Sequence, residues 1–276
     1  MSCRNGLTHW LTQTPDWKVW LRLPAIAYLT IAAYGYFFSE RQMFLPQSAA
    51  QAPLPQPPIA IPTTNGETIT LVHLPNPQAT YSILYSHGNG ETLGDVYPHL
   101  LKLQNLGFNI IAYDYRGYGL SQGKPTEQNT YEDITTAYRY TTETLKISPD
   151  RLIIFGRSIG GGPSTYLASQ KPIAGLILES TFTSVFRVVV PFPLLPFDRF
   201  PNRARLAKVH VPVLIIHGDH DEVIPFEHGQ ALFQAANAPK QFLPIPNAGH
   251  NDVSDIGRRH LRQCHSKFCC QFRQDQ

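Results

Sequence analysis

Gly156-Arg157-Ser158-Ile159-Gly160 is the first stretch of this chain in which residue types and spacing imply chemistry. It follows the apolar run Arg151–Phe155 and leads at once into Gly161-Gly162-Pro163, so a strand must turn directly into a helix. A serine on such a turn adopts a strained backbone, and small flanking residues are needed to avoid clashes. The turn lifts Oγ above the sheet and over a helix N-terminus, where the dipole favours developing negative charge. That is a description of a nucleophile. The competing reading is a glycine-rich turn with an incidental serine. A phosphate-binding loop is excluded, because no Gly-Lys-Ser/Thr follows.

A serine hydroxyl attacks only when a base takes its proton, and the base needs an orienting acid. Two downstream stretches hold candidates. The run Val213–Ile216 feeds into His217-Gly218-Asp219-His220-Asp221-Glu222-Val223-Ile224-Pro225, and Gln241–Ile245 is followed by Asn247-Ala248-Gly249-His250-Asn251-Asp252. Each candidate sits just past a strand's C-terminal end, the edge where open α/β sheets bind ligands. His250 is the candidate base. Asp219, Asp221 and Glu179, the last at the end of Ile173–Leu178, compete as the acid. His217 and His220 invite a metal reading, yet no third or fourth ligand follows with suitable spacing. Neither a metal nor a cofactor is expected.

The elements that must position these residues alternate along the chain. Glu67–Leu74 reads as a half-exposed strand, while Tyr81–Ser86, Asn109–Tyr113, Arg151–Phe155, Ile173–Leu178 and Val213–Ile216 read as buried parallel strands. Helical stretches fall at Tyr97–Leu106, Glu132–Leu145, Gly161–Ser169 and Phe226–Ala236. Strand alternating with helix predicts an α/β fold, with a parallel sheet covered on both faces.

With those residues in place, the chain resembles the α/β-hydrolases, most closely the membrane-anchored group that includes acyl-protein thioesterases. The resemblance spans roughly residues 59–257. It rests on His87-Gly88-Asn89-Gly90, on Tyr113-Asp114-Tyr115-Arg116-Gly117-Tyr118-Gly119-Leu120-Ser121, on the serine turn, on His217–Pro225 and on Gly249-His250-Asn251-Asp252. It implies an α/β-hydrolase fold with a mostly parallel central sheet and no large cap domain. It also implies Ser158 as nucleophile, His250 as base and Asp221 as acid, with Asp219 a turn former. Oxyanion donors would be the backbone N–H groups of Ile159 and Asn89. His87 would pack beneath the oxyanion loop, and Asp114–Ser121 would shape a structural turn. Only residues 180–210 are available for a lid, and within them Val188–Phe197 reads VVVPFPLLPF, an apolar lip. That lip suits an acyl chain or a membrane surface, or alternatively a short helix packed on the core.

Charge and cysteine divide the chain further. The 23 basic and 20 acidic residues leave a net +3, but residues 42–257 are net negative and the excess lies at the two ends. Nucleic acid is therefore not an expected partner. Leu23–Phe38 is an uncharged apolar run, and its 16 residues would reach about 24 Å as a helix. Extended to Val19, with the Arg22 head at the interface, it can span a thin membrane. A signal peptide fits less well, since Ser48-Ala49-Ala50 lies too far beyond the run. Arg4, Lys18 and Arg22 precede the run, so the bias favours a cytoplasmic N-terminus and a catalytic body on the other side. Residues 1–45 are thus read as a single-pass anchor, 46–58 as a proline-rich spacer, 59–257 as the catalytic domain and 258–276 as an atypical tail. That tail gathers Cys264, Cys269 and Cys270 among basic residues. Its cysteines suit acylation or, with His260 and His265, zinc. The abrupt change in composition favours a shift of reading frame near residue 257.

Together these features predict a membrane-tethered serine hydrolase cleaving carboxylic esters or thioesters, its substrate a small-molecule or acyl-protein ester. A peptidase with the same triad, or a non-catalytic binding protein on the same scaffold, are the alternatives. Oligomeric state is not legible.

Overall fold

A computed structural model of the chain describes residues 17–47 and 54–256. The readings made for the tail after residue 256, for residues 48–53 of the spacer and for the start of the anchor lie outside the described residues. The chain divides into two compact units, the first ending at Met43 and the second beginning at Phe44.

In the first unit, α1 (Trp17–Met43) is a single helix. Leu21, Leu23, Ile26, Leu29, Ile31 and Phe37 spread around its whole circumference at 100° per residue, so it has no polar face to offer water. Its stretch Trp20–Met43 is long and apolar enough to cross a membrane. At about 1.5 Å per residue those 24 residues reach about 36 Å, more than the ~30 Å hydrocarbon core. The helix therefore outruns the expected 16-residue apolar run at both ends.

The second unit opens with β1 (Ile59–Pro62), β2 (Thr68–Leu74), β3 (Ser82–Ser86), α2 (Leu93–Asn105), β4 (Asn109–Tyr113) and α3 (Glu127–Arg139). Next come β5 (Leu152–Arg157), α4 (Gly161–Ala168), β6 (Gly175–Glu179), α5 (Val185–Val189) and α6 (Asn202–Leu206). It ends with β7 (Val213–Gly218), α7 (Phe226–Ala235), β8 (Lys240–Ile245) and α8 (Val253–Ile256). The eight strands form one sheet in the order β1-β2-β4-β3-β5-β6-β7-β8. β2 is antiparallel to both neighbours, and the rest run parallel. Strands β3, β5, β6 and β7 are buried at nearly every residue, as a sheet covered on two faces requires. Because β3, β5, β6, β7 and β8 are successive neighbours, the loops after their C-terminal ends share one rim.

Several boundaries differ from expectation. α2 begins at Leu93 instead of Tyr97 and α3 at Glu127 instead of Glu132. The extra turn of α3 opens on Glu127, Gln128, Asn129 and Thr130, whereas that of α2 buries Leu93 and Val96 around Gly94, a poor helix former; each turn is capped. The Asp95 carboxylate accepts the Thr92 N–H at 2.8 Å, and Thr126 Oγ1 accepts the Asn129 N–H at 3.0 Å. β1, unanticipated, is a short edge strand ending in Pro62. The start of the second unit also moves forward, from residue 59 to Phe44. Phe44 is buried, its ring 6.2 Å from that of Phe200, and Gln47 O accepts the Gly119 N–H at 2.8 Å. One aromatic just before a proline-rich stretch was the only trace of this in the sequence.

Candidate active site

Ser158 stands where β5 ends and the first turn before α4 begins, with φ at 53°. Two glycines make that backbone possible. A Cβ on Gly156 would lie 2.5 Å from Gly160 O, and one on Gly160 would lie 2.2 Å from Ser86 O. The elbow is thus pressed against the end of β3, and only glycine fits at either flank. Thr181 Oγ1, just past β6, donates to Ser158 O at 2.6 Å and fixes the turn from the other side.

Three rim loops converge on the serine. His250 Nε2 lies 3.0 Å from Ser158 Oγ, and His250 Nδ1 lies 2.8 Å from Asp221 Oδ2. All three residues are buried. With Nδ1–H donating to the carboxylate, Nε2 presents its lone pair to the serine hydroxyl, the tautomer a base requires. Asp221 is fixed in turn. Its Oδ1 accepts the Val223 and Ile224 N–H groups at 2.9 and 2.7 Å, and His217 Nε2 lies 3.4 Å from Oδ2 while donating to Ile224 O at 2.8 Å. Burial alone would raise the Asp221 pKa. Hydrogen bonds from His217, His250 and the Ile224 backbone outweigh it and hold the carboxyl well below the usual carboxylate range.

The rival acids are placed elsewhere. Asp219 is exposed, pairs with His220 at 2.7 Å and accepts the Asn247 N–H at 2.7 Å, so it closes a turn. Glu179 is buried at the end of β6, 3.5 Å from Arg157 Nε. His217 and His220 go to different carboxylates, one inside and one at the surface, and do not converge as metal ligands would.

In the loop after β3, His87 is fully buried with Nδ1 2.8 Å from Gly88 O and its ring 4.4 Å from that of Tyr115. Glu91 Oε2 accepts the Gly88 N–H at 2.7 Å, and Tyr118 OH donates to Asn89 Oδ1 at 2.7 Å. Ile159, buried, follows the serine directly. The Asp114–Ser121 segment is a turn whose Ser121 Oγ donates to Asp114 O and accepts the Thr70 N–H. Through Tyr118 it also touches the loop that holds Asn89, which the sequence did not disclose.

Arg157, the variable position before the serine, ties these loops together. It pairs with Glu91 and Glu179, donates to Asn251 Oδ1 at 2.8 Å and reaches His250 O at 3.4 Å. Its partners come from three distant segments, so no local pattern could have announced it. Burial raises the Glu179 pKa and the Arg157 charge opposes that rise. Replacing Arg157 by Gln strands a buried carboxylate, at a cost of about 3–5 kcal/mol. The melting temperature is expected to fall by about 10 °C at pH 7, less at lower pH, where the stranded carboxylate takes a proton. A circular dichroism melt within about 2 °C of wild type would contradict this account.

Past β6, α5 and the following turns form the lip. Asp198 closes its base, accepting from Ser184 Oγ at 2.7 Å and Phe186 N at 2.9 Å, while Val189, Phe192 and Leu194 are exposed. A cavity of about 800 Å³ opens between the lip, α6 and α7, lined by Pro191, Pro193, Ala204, Ala231 and the buried His228 among others.

The fold defines the class: the chain has the α/β-hydrolase fold. Residues 81–202 match the family model for the alpha/beta hydrolase fold. More particularly, it is similar to human alpha/beta hydrolase domain-containing protein 17B, at 45% identity over 186 residues, 66% of this chain and 65% of that protein. The similarity to the Caenorhabditis elegans alpha/beta hydrolase domain-containing protein aho-3 is 40% over 182 residues, 65% of this chain and 55% of that one. The match therefore spans between about half and two thirds of these relatives' length. Among solved structures, the Pyrococcus furiosus esterase Pf2001 superposes with a TM-score of 0.66 at 16% identity, over 83% of this chain and 96% of that one. An esterase from Exiguobacterium antarcticum gives 0.59 at 18%, over 76% and 98%. At such identities the likeness is one of fold.

Proposed function

We propose that this protein is a serine hydrolase of esters or thioesters, with Ser158 as nucleophile, His250 as general base and acid, and Asp221 as its orienting acid. The carrying observation is the unbroken hydrogen-bonded line from Ser158 Oγ through the His250 ring to a carboxylate braced by two backbone N–H groups. As Oγ attacks an acyl carbonyl, His250 Nε2 takes its proton and Asp221 stabilises the imidazolium. The Ile159 and Asn89 N–H groups bind the oxyanion. Collapse breaks the bond to the alcohol or thiol, which leaves with the proton from His250. Water, deprotonated by the same nitrogen, then attacks the acyl-enzyme and frees the carboxylic acid and Ser158.

An acyl or lipid-like substrate is favoured by the apolar lip, and a membrane setting by α1. In this reading α1 is a single-pass anchor, and the basic residues before it favour a cytoplasmic N-terminus. The test is a competition among p-nitrophenyl esters of rising chain length, acyl-thioesters and aminoacyl-anilides. Esters and thioesters are expected to turn over, longer acyl chains better than acetyl. Faster cleavage of the anilides would make the protein a peptidase, and no turnover of any would leave a binding scaffold.

A further inference from the structure

We propose that residues Phe44–Gln47 are a strap that sets the oxyanion loop, so that the chemical step depends on the segment immediately following α1. The inference rests on the esterase reading above, in which Asn89 supplies an oxyanion donor.

The strap meets the loop through a closed triangle of hydrogen bonds. Leu45 N–H donates to Asn89 Oδ1 at 2.9 Å and to Tyr118 OH at 3.0 Å, and Tyr118 OH donates to Asn89 Oδ1 at 2.7 Å. Leu45 O passes 4.0 Å from where a Cβ on Gly90 would stand, so the strap backbone also lies against the loop one residue further on. Both ends of the strap are pinned. At one end the Phe44 ring packs on Phe200, and Phe200 lies so close to α4 that a Cβ on Gly162 would fall 2.3 Å from its ring. At the other end Gln47 O accepts the Gly119 N–H. The strap thus joins the helix that follows Ser158 to the turn that carries Tyr118, and it crosses the oxyanion loop between them.

The loop needs such support. His87–Gly90 lies beyond the last residue of β3, outside the sheet's hydrogen bonding. The Gly88 N–H is engaged by Glu91, which fixes the loop's start. The position of Asn89 is fixed through its own side chain, and one of the two donors on Oδ1 is the Leu45 backbone. An oxyanion donor acts through a position held to fractions of an ångström, and a misplacement of about 1 Å costs about 100-fold in rate. The Leu45 side chain is exposed, so what the strap gives the loop at this residue is an N–H and not a packed side chain.

The test uses the full chain in detergent micelles with p-nitrophenyl butyrate. Leu45→Pro removes the N–H, and kcat is expected to fall about 10- to 100-fold, with KM within about twofold of wild type. Leu45→Ala, which carries the N–H, is expected to recover kcat relative to the proline variant. Tyr118→Phe keeps the buried ring and removes the hydroxyl; it should lower kcat by about tenfold or more, and it decides the matter if Leu45→Pro does not fold. Wild-type kcat in Tyr118→Phe and in any folded Leu45→Pro, alongside an inactive Ser158→Ala, overturns the strap. A rise in KM with kcat unchanged overturns it equally. An active Ser158→Ala would instead overturn the esterase reading on which the proposal stands.

Discussion

Ser158→Ala is expected to lower kcat on a p-nitrophenyl ester by about 10⁵- to 10⁶-fold and to abolish labelling by a fluorophosphonate probe, while the protein melts close to wild type. The loss is large because the acyl-enzyme cannot form, and His250 is left with no hydroxyl to deprotonate. What remains is the oxyanion site and substrate binding, worth about 10³- to 10⁴-fold over water. The fold should tolerate the change. Alanine removes one oxygen from a buried position and keeps the Cβ that already accepts a φ of 53°. The contacts fixing the turn, from Thr181 to the Ser158 carbonyl and between the flanking glycines and β3, involve backbone and neighbours only. Labelling of the mutant at the wild-type rate would remove Ser158 from the mechanism.

The second large effect belongs to Asp221→Asn, for which a loss of about 10⁴-fold in kcat is expected, equivalent to about 5.4 kcal/mol of transition-state stabilisation. The argument turns on which way the new amide must face. Two backbone N–H groups point at Oδ1, so the amide oxygen has to occupy that place. The NH₂ then takes the position of Oδ2, 2.8 Å from His250 Nδ1. A nitrogen facing a donor must accept, so His250 shifts its proton to Nε2 and presents an N–H to Ser158 where a lone pair is needed. Geometry is preserved and the tautomer is wrong. Steady-state kinetics within about tenfold of wild type would mean that Asp221 does not orient the base.

How far the sequence reached is best seen at particular residues. Ser158 was legible because a strained turn restricts its neighbours, and glycines at 156 and 160 leave a local pattern. That the loops carrying Asp221 and His250 share a rim with Ser158 was legible, because order along parallel strands stands in for position in space; the choice of Asp221 over Asp219 and Glu179 came only from the resemblance to the α/β-hydrolases. The sheet itself was legible from its runs of branched apolar residues. Arg157, His217 and Tyr118 were not. Arg157 and Tyr118 act through partners tens of residues away, and His217 through a turn that folds Asp221 and Ile224 back onto it; side-chain identity alone shows none of this. His217 shows the difficulty well: its spacing to His220 argued only against a shared metal, and gave no sign that His217 would turn inward to Asp221 and His220 outward to Asp219. Phe44–Gln47 was read as anchor and spacer because its hydrogen bonds come from the backbone, which leaves no mark on composition.

The braced carboxylate of Asp221 also has a thermodynamic side. Its pKa in the folded protein lies below the ordinary value of about 3.9 that the unfolded chain retains. Unfolding at a pH near or below that unfolded value is therefore coupled to proton uptake by this one group. The stabilisation it brings is complete above the unfolded pKa, and it drains away as pH falls from there toward the folded one. The hydrogen bonds that aim the histidine thus also help to set the acid limit of the fold, so tolerance of low pH and alignment of the base are linked through a single side chain.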